Sequence, residues 1–156
     1  MCDEPVRDAL RNAVREARAI HPFTIDGWVL LSDHLHCIWT LPPGDAAFGM
    51  RWAMIKRSVT RACGPSLYRE QWMNDSKRQR NESTVWQRRF WEHAIRDETD
   101  FGRHMDYLHY NPVKHGLVQR VKDWPLSTFH RYVKDGVYPE NWGGIAEATR
   151  DEDYGE

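Results

Sequence analysis

Apolar positions recur at two different periods along the chain, and the changes of period outline its elements. Val6, Leu10, Val14 (or Ala13) and Ala17 keep helical spacing through "EPVRDALRNAVREARAI", with Arg and Glu between them. An amphipathic helix is predicted there, with Pro5 in its first turn. "FTIDGWVLLS" and "LHCIWTLP" read as two strands joined tightly around Ser32 and Asp33, an antiparallel hairpin closed by Pro42, Pro43 and Gly44. Helical spacing returns in "AFGMRWAMIKRSVTRAC" through Phe48, Trp52, Ile55 and Val59, and the opposite face carries Arg51, Lys56, Arg57 and Arg61. Residues 64–84 lack clear periodicity and read as a basic loop. The aromatic-rich "VWQRRFWEHAIRD" is expected to be a strand. "ETDFGRHMDYLHYN" reads as a helix capped by Asp97 or Thr99, and an aromatic, turn-rich segment closes the fold. This order suggests a small α+β sandwich on an antiparallel sheet.

Composition narrows the class. At 156 residues, 40% hydrophobic and 29% charged, the chain suits one globular domain, expected over 1–146, followed by an acidic, loose tail at 147–156. No apolar run approaches the roughly 18 residues needed to span a bilayer. The start lacks the basic-then-apolar pattern of a secretory signal. Cys2, Cys37 and Cys63 have neither CxxC spacing nor an even count, so a reduced, cytoplasmic setting is expected.

The net charge of −1 conceals an uneven distribution: −3 over residues 1–50, +7 over 51–96 and −5 over 97–156. A basic centre between acidic ends is compatible with contact to phosphates, and equally with a solvated charged surface.

Candidate chemistry lies in two stretches. In "DHLHCIWTLP", His34 and His36 are two apart on a strand, so both imidazoles share one face. In "DYLHYNPVKHGLV", Tyr107 and Asn111 are four apart, one helical turn, on a common face. A tyrosine hydroxyl is a nucleophile able to form a phosphodiester with DNA. An amide oxygen is a hard, neutral ligand for a divalent cation. Two imidazoles and one amide therefore make a three-ligand metal site with open positions. Each residue alone also fits a plainer role: the histidines on a partly exposed strand face, Tyr107 packed on the sheet, Asn111 ending a helix before Pro112. Cys37 points away from His36 and reads as core. His104 and His109 read as surface or aromatic-cluster residues.

"SDHLHCIWTLP", "WQRRFWEHAIRDETDF", "YLHYNPVKHGLV" and "DWPLSTFHRYVKDGVYP" closely resemble the REP-associated tyrosine transposases, members of the HUH (His-hydrophobic-His) single-strand nucleases. The similarity runs in order from about Pro5 to Trp142, and "YxxxNPVKxGLV" followed by "DWPxSxFHRY" is a specific combination. The resemblance implies a ferredoxin-like antiparallel sheet with helices on one face, the HUH nuclease fold. It implies His34, His36 and Asn111 as metal ligands and Tyr107 as the catalytic tyrosine. Tyr110 competes with Tyr107 but lies about 100° around the helix from Asn111.

The implied activity is cleavage and rejoining of single-stranded DNA at short palindromic hairpins through a 5′-phosphotyrosine link. Imidazoles lean towards zinc or manganese, the amide and phosphate towards magnesium or manganese. The resemblance favours Mg2+ or Mn2+. Imidazoles must be neutral to bind a metal, so activity is expected to fall below about pH 6.5. Lys56, Arg57, Arg61, Arg88, Arg89 and Lys114 are the candidate DNA contacts. Trp52 and Trp91 are candidates for stacking on unpaired bases, with core packing as the plainer role.

The family fold begins with a strand inside the sheet, whereas only "MCDE" precedes Pro5 here, so that first strand is expected to be missing. Two rival functions follow: a hairpin-binding module or transposase relic that no longer nicks, and a metal-dependent hydrolase that forms no covalent link. The active unit is expected to be a monomer or homodimer.

Overall fold

The computed structural model describes residues 2–68, 70–79, 86 and 90–144, the side chains of 65, 66 and 72 excepted. Its backbone divides into two compact units, Met1–Thr24 with Leu41–Phe90, and Ile25–Thr40 with Trp91–Glu156. No helix among the described residues is long and apolar enough to cross a membrane.

The first unit is built on two packed helices, α1 (Glu4–Ile20) and α2 (Phe48–Leu67). The predicted stripe of α1 is the buried one: Val6, Leu10, Ala13 and Ala17 are all inside. Ile55, Val59 and Cys63 are buried on α2 at the same spacing. Arg51 departs from the expectation of a solvated basic face. It is 1% exposed, forms an ion pair with Asp45, and donates to the carbonyls of His21, Pro22 and Ala47. The guanidinium beside it holds the Asp45 carboxyl at about 2, well below the usual carboxylate range. Arg51 therefore fastens the start of α2 to the end of α1, with all its charge used internally.

Two predicted boundaries in this part of the chain also move. The helix expected to stop near Cys63 runs on to Leu67. The expected loop contains a 3-10 turn at Glu70–Trp72 and a short helix, α3 (Asp75–Gln79), whose start is capped by the Asn74 side chain accepting from the Lys77 amide at 2.9 Å. A capping Asn satisfies an amide that has no partner within the helix, which is enough to start a short turn without apolar periodicity.

The second unit carries the predicted hairpin, β1 (Thr24–Leu30) and β2 (Leu35–Thr40), its turn closed by Leu31 N–H donating to the His34 carbonyl at 2.8 Å. The opposite edge of β1 is taken by the closing segment. Leu30 N–H donates to the Leu126 carbonyl, Thr128 N–H donates to the Trp28 carbonyl, and Val29 bridges Ser127 antiparallel. Such alternation is required of a strand paired on both sides, since successive residues direct their amides to opposite edges.

Helix α4 (Glu98–Lys114) lies against this sheet. Gly27 permits the close approach: a Cβ there would sit 2.8 Å from Met105 Sδ and 3.1 Å from Leu108 Cδ1. Val29, Leu31 and Leu108 form the core, with Ile38 and Trp124 packed around it. Asp97 caps α4 by accepting from the Asp100 amide at 2.8 Å. A 3-10 turn (Val121–Asp123) and α5 (Phe129–Lys134) complete the unit.

The expected strand over 85–97 is not formed by the described residues Trp86 and Phe90–Asp97. One of its amides is taken by a side chain: Arg96 N–H donates to Asp100 Oδ2 at 3.0 Å, so it is not available to a strand ladder. The described sheet thus has two named strands, and no strand precedes α1 among the described residues.

Candidate active site

The second unit brings together the histidine pair and the tyrosine. The His34 and His36 rings lie edge to face with centroids 5.0 Å apart, and His36 meets the Tyr107 ring at 5.8 Å in the same manner. His36 lies on β2 while His34, expected on the same strand, sits one residue before it at the hairpin turn, and the packing of α4 brings Tyr107 to His36. Asp33 accepts from or shares a proton with His34 Nδ1 at 2.8 Å, and that bond holds the Asp33 carboxyl below its ordinary range. With Nδ1 so engaged, Nε2 of a neutral His34 carries the free lone pair, the arrangement that orients a metal-binding imidazole.

Helix α4 continues through Pro112 to Lys114, beyond the predicted end at Asn111. Pro112 lacks the N–H that would bond the Leu108 carbonyl, so the helix continues with one rung missing. Gly116, at φ +67°, then lets the chain turn, and Leu117 N–H closes on the Pro112 carbonyl at 2.9 Å. Two consequences follow for the site. Asn111 sits inside the helix, 0% exposed, with its Nδ2 donating only a long 3.4 Å bond to the Tyr107 carbonyl and its Oδ1 without a hydrogen-bond partner. Lys114, two turns beyond Tyr107, folds back over the tyrosine ring and donates to its hydroxyl at 3.2 Å.

His115 belongs to the same cluster, its ring 5.1 Å from that of His34. It was not singled out from the sequence, although Tyr107, Asn111 and His115 share one four-residue spacing. That signal was masked by Pro112, which suggested that the helix had already ended.

An orphaned, buried amide oxygen one helical turn from the tyrosine that His36 meets is a donor suited to a divalent cation, because an oxygen that can only accept finds its partner in a proton donor or a metal. A second group with ligand-type atoms, His93, Asp100 and His104, has those atoms within 4.8 Å of one another. Here the ring nitrogens face the carboxylate directly, His93 Nε2 at 2.8 Å and His104 Nδ1 at 3.2 Å. Hydrogen bonds from Arg96 and His93 hold the Asp100 carboxyl far below its ordinary range.

The remaining candidates occupy other surroundings. Tyr110 faces the closing segment beside Gly143, where a Cβ would lie 3.3 Å from its ring. His109 is fully buried among Phe129, Tyr132 and Tyr138 and bonds Thr128 Oγ1 at 3.0 Å, an aromatic-cluster residue as expected. Cys37, expected in the core, is only half-buried on β2, and desolvation pushes its thiol up.

In the first unit, Arg57 and Arg61 are exposed on α2, whereas Lys56 is half-buried over the Trp86 and Phe90 rings, which lowers its ammonium from the ordinary lysine value by desolvation. Arg88 and Arg89 lie outside the described residues.

No family model matches the chain. A REP-associated tyrosine transposase of Escherichia coli (strain K12) is 47% identical over 135 residues, covering 86% of this chain and 72% of that protein. A solved structure of a REP-associated tyrosine transposase bound to a REP hairpin superposes with a TM-score of 0.74 at 46% identity, covering 88% of this chain and 73% of the other. The chain belongs to the REP-associated tyrosine transposases. Its mixed helical and antiparallel-sheet architecture is the HUH-type fold of that solved structure. As a tyrosine transposase it is a DNA-acting enzyme.

Proposed function

We infer that the protein is a metal-dependent transesterase that cleaves and rejoins single-stranded DNA at palindromic hairpins. Tyr107 is the nucleophile, and His34, His36 and Asn111 hold Mg2+ or Mn2+. One observation carries the reading: a fully buried, unpartnered Asn111 Oδ1, one turn from Tyr107 on a helix whose tyrosine meets His36. Leaving such an oxygen unsatisfied costs about 1–3 kcal/mol, a cost that a bound cation offsets. The hairpin bound by the similar solved structure supports the substrate class.

A bound divalent cation supplies charge stabilisation at the non-bridging oxygens of the scissile phosphate. The protein's own groups do the rest. Tyr107 Oη forms a bond to phosphorus as the bond from phosphorus to the 3′ oxygen breaks. The phenolic proton is lost and the departing strand gains one, so the products are a free 3′-OH and a 5′-phosphotyrosine. Because one phosphoester replaces another, attack by a 3′-OH reverses the reaction and joins strands. Lys114 donates to Tyr107 Oη and stabilises negative charge as it develops there. Asp33 fixes the His34 ring through Nδ1.

Arg57 and Arg61, one turn apart and exposed, suit successive phosphates. Lys56, Arg88 and Arg89 are assigned the same role, whereas Lys114 is assigned primarily to the nucleophile.

The test is incubation with a labelled single-stranded hairpin oligonucleotide and Mn2+ or Mg2+, resolved on a denaturing gel. A covalent protein–DNA band that disappears with Tyr107→Phe and with chelator is the expected result. Cleavage that yields free 5′-phosphate and no adduct would replace the transesterase with a hydrolase. Retardation on a native gel with no covalent band would reduce the protein to a binding module.

A further inference from the structure

Trp91, His93 and His104 form a second aromatic group in the same unit as Tyr107, and the reaction described above leaves it unused. Trp91 is 61% exposed, far from the core packing expected of a tryptophan. Its ring runs nearly parallel to both imidazoles, 9° from His93 at 5.8 Å and 16° from His104 at 6.1 Å. The two imidazoles are themselves stacked at 4.5 Å and 8°.

The buried Asp100 carboxylate fixes this stack from its edge. His93 Nε2 lies 2.8 Å from Oδ2, and His104 Nδ1 lies 3.2 Å from Oδ1 and 2.8 Å from the Asp100 carbonyl. Arg96 also bonds Oδ2 through Nε at 3.1 Å while leaving its side chain largely exposed. One nitrogen of each imidazole is thus held by Asp100, and the group offers solvent the exposed Trp91 ring beside a guanidinium. A rigid, exposed, flat surface with a cation at its margin is suited to an unpaired base and the phosphate attached to it.

Its position gives it a role. His104 and Tyr107 are three apart on α4, so they are neighbours on one face, separated by about 4.5 Å along the axis. We propose that Trp91, backed by His93 and His104, is a stacking platform for the unpaired base next to the phosphate attacked by Tyr107, and so positions the scissile bond. Trp91 is a positioning and specificity residue for single-stranded DNA, and the inference rests on the transesterase reading.

The experiment first maps the nick made by the wild-type protein in a labelled single-stranded hairpin oligonucleotide. It then replaces each nucleotide within three of the nick by an abasic site. Binding is measured by anisotropy in a Tyr107→Phe background, and kcat and KM for adduct formation in the active protein, each with Trp91, Trp91→Ala and Trp91→Phe. One abasic position is expected to weaken binding roughly five- to a hundredfold with Trp91 in place. In Trp91→Ala that same position has no further effect, because the base and the ring are lost as one interaction. Trp91→Phe keeps most of the coupling. Abasic and Trp91→Ala losses that multiply at every position overturn the proposal, while adduct formation on intact DNA leaves the transesterase standing. Absence of any adduct with the wild-type protein overturns both.

Discussion

Asn111 offers a test in which stability and function move in opposite directions. Its Oδ1 is fully buried without a partner, and its Nδ2 bond to the Tyr107 carbonyl is long at 3.4 Å. Replacing it with alanine removes an acceptor whose unsatisfied burial costs about 1–3 kcal/mol. Alanine also gains roughly 0.6 kcal/mol of helix propensity over asparagine. Against this stand one weak hydrogen bond and some lost packing, together about 1–2 kcal/mol. In chelator, Asn111→Ala is therefore expected to be more stable than the wild type by about 1 kcal/mol, which raises Tm by about 2–4 °C for a chain of this length. With Mn2+ the order reverses. A cation at 100 times its Kd stabilises the wild type by about 2.7 kcal/mol, and the variant loses most of that gain together with adduct formation. Asn111→Asp, which keeps an oxygen ligand, retains the response to Mn2+ but is less stable without it. Thermal melts with and without Mn2+ measure all three. An alanine variant less stable than the wild type in chelator would show that Oδ1 carries no unrelieved cost. A full Mn2+ response from it would remove Asn111 from the ligand set.

Three further outcomes follow from particular contacts. Lys114→Met, which removes the donor 3.2 Å from the Tyr107 hydroxyl, should slow adduct formation about tenfold while leaving hairpin affinity within a few-fold; a large affinity loss with an unchanged rate would return Lys114 to a phosphate contact. Burial, helped by the charges of Arg131 and His130, lowers the His109 imidazole to about 4 from the ordinary 6.5, so between those values the unfolded chain binds a proton that the folded protein does not. Its contribution is full above about pH 6.5 and declines towards pH 4, costing about 2 kcal/mol between pH 7.5 and 5; denaturant melts in which His109→Phe declines as steeply as the wild type would refute this. Gly27→Ala should lower Tm by about 2–4 °C, since the added Cβ meets Met105 Sδ at 2.8 Å and Met105 must shift at a cost of about 1 kcal/mol; an unchanged melt would mean that α4 has room to move off β1.

Local periodicity was legible wherever a residue's neighbours along the chain set its orientation. The alternation in "HLHCIWT" aims His34, one residue before β2, and His36 to one side because a strand has period two. The spacing of Tyr107 and Asn111 puts them on one face because a helix has 3.6 residues per turn. The buried stripe of α1 could be read for the same reason. Tertiary structure decided what no local rule contains. Whether Arg51 is a solvated cation or an internal clamp depends on the carbonyls of His21 and Pro22, about thirty residues away. Whether Arg96 can join a strand depends on Asp100, whose carboxylate takes its amide. His115 and Lys114 joined His34 and Tyr107 only because α4 passes through Pro112 and rests on the sheet beside Gly27. Sequence patterns fix the direction in which a side chain leaves its own element. Burial, and the partners a side chain meets, belong to pairs of elements, and only packing brings those pairs together.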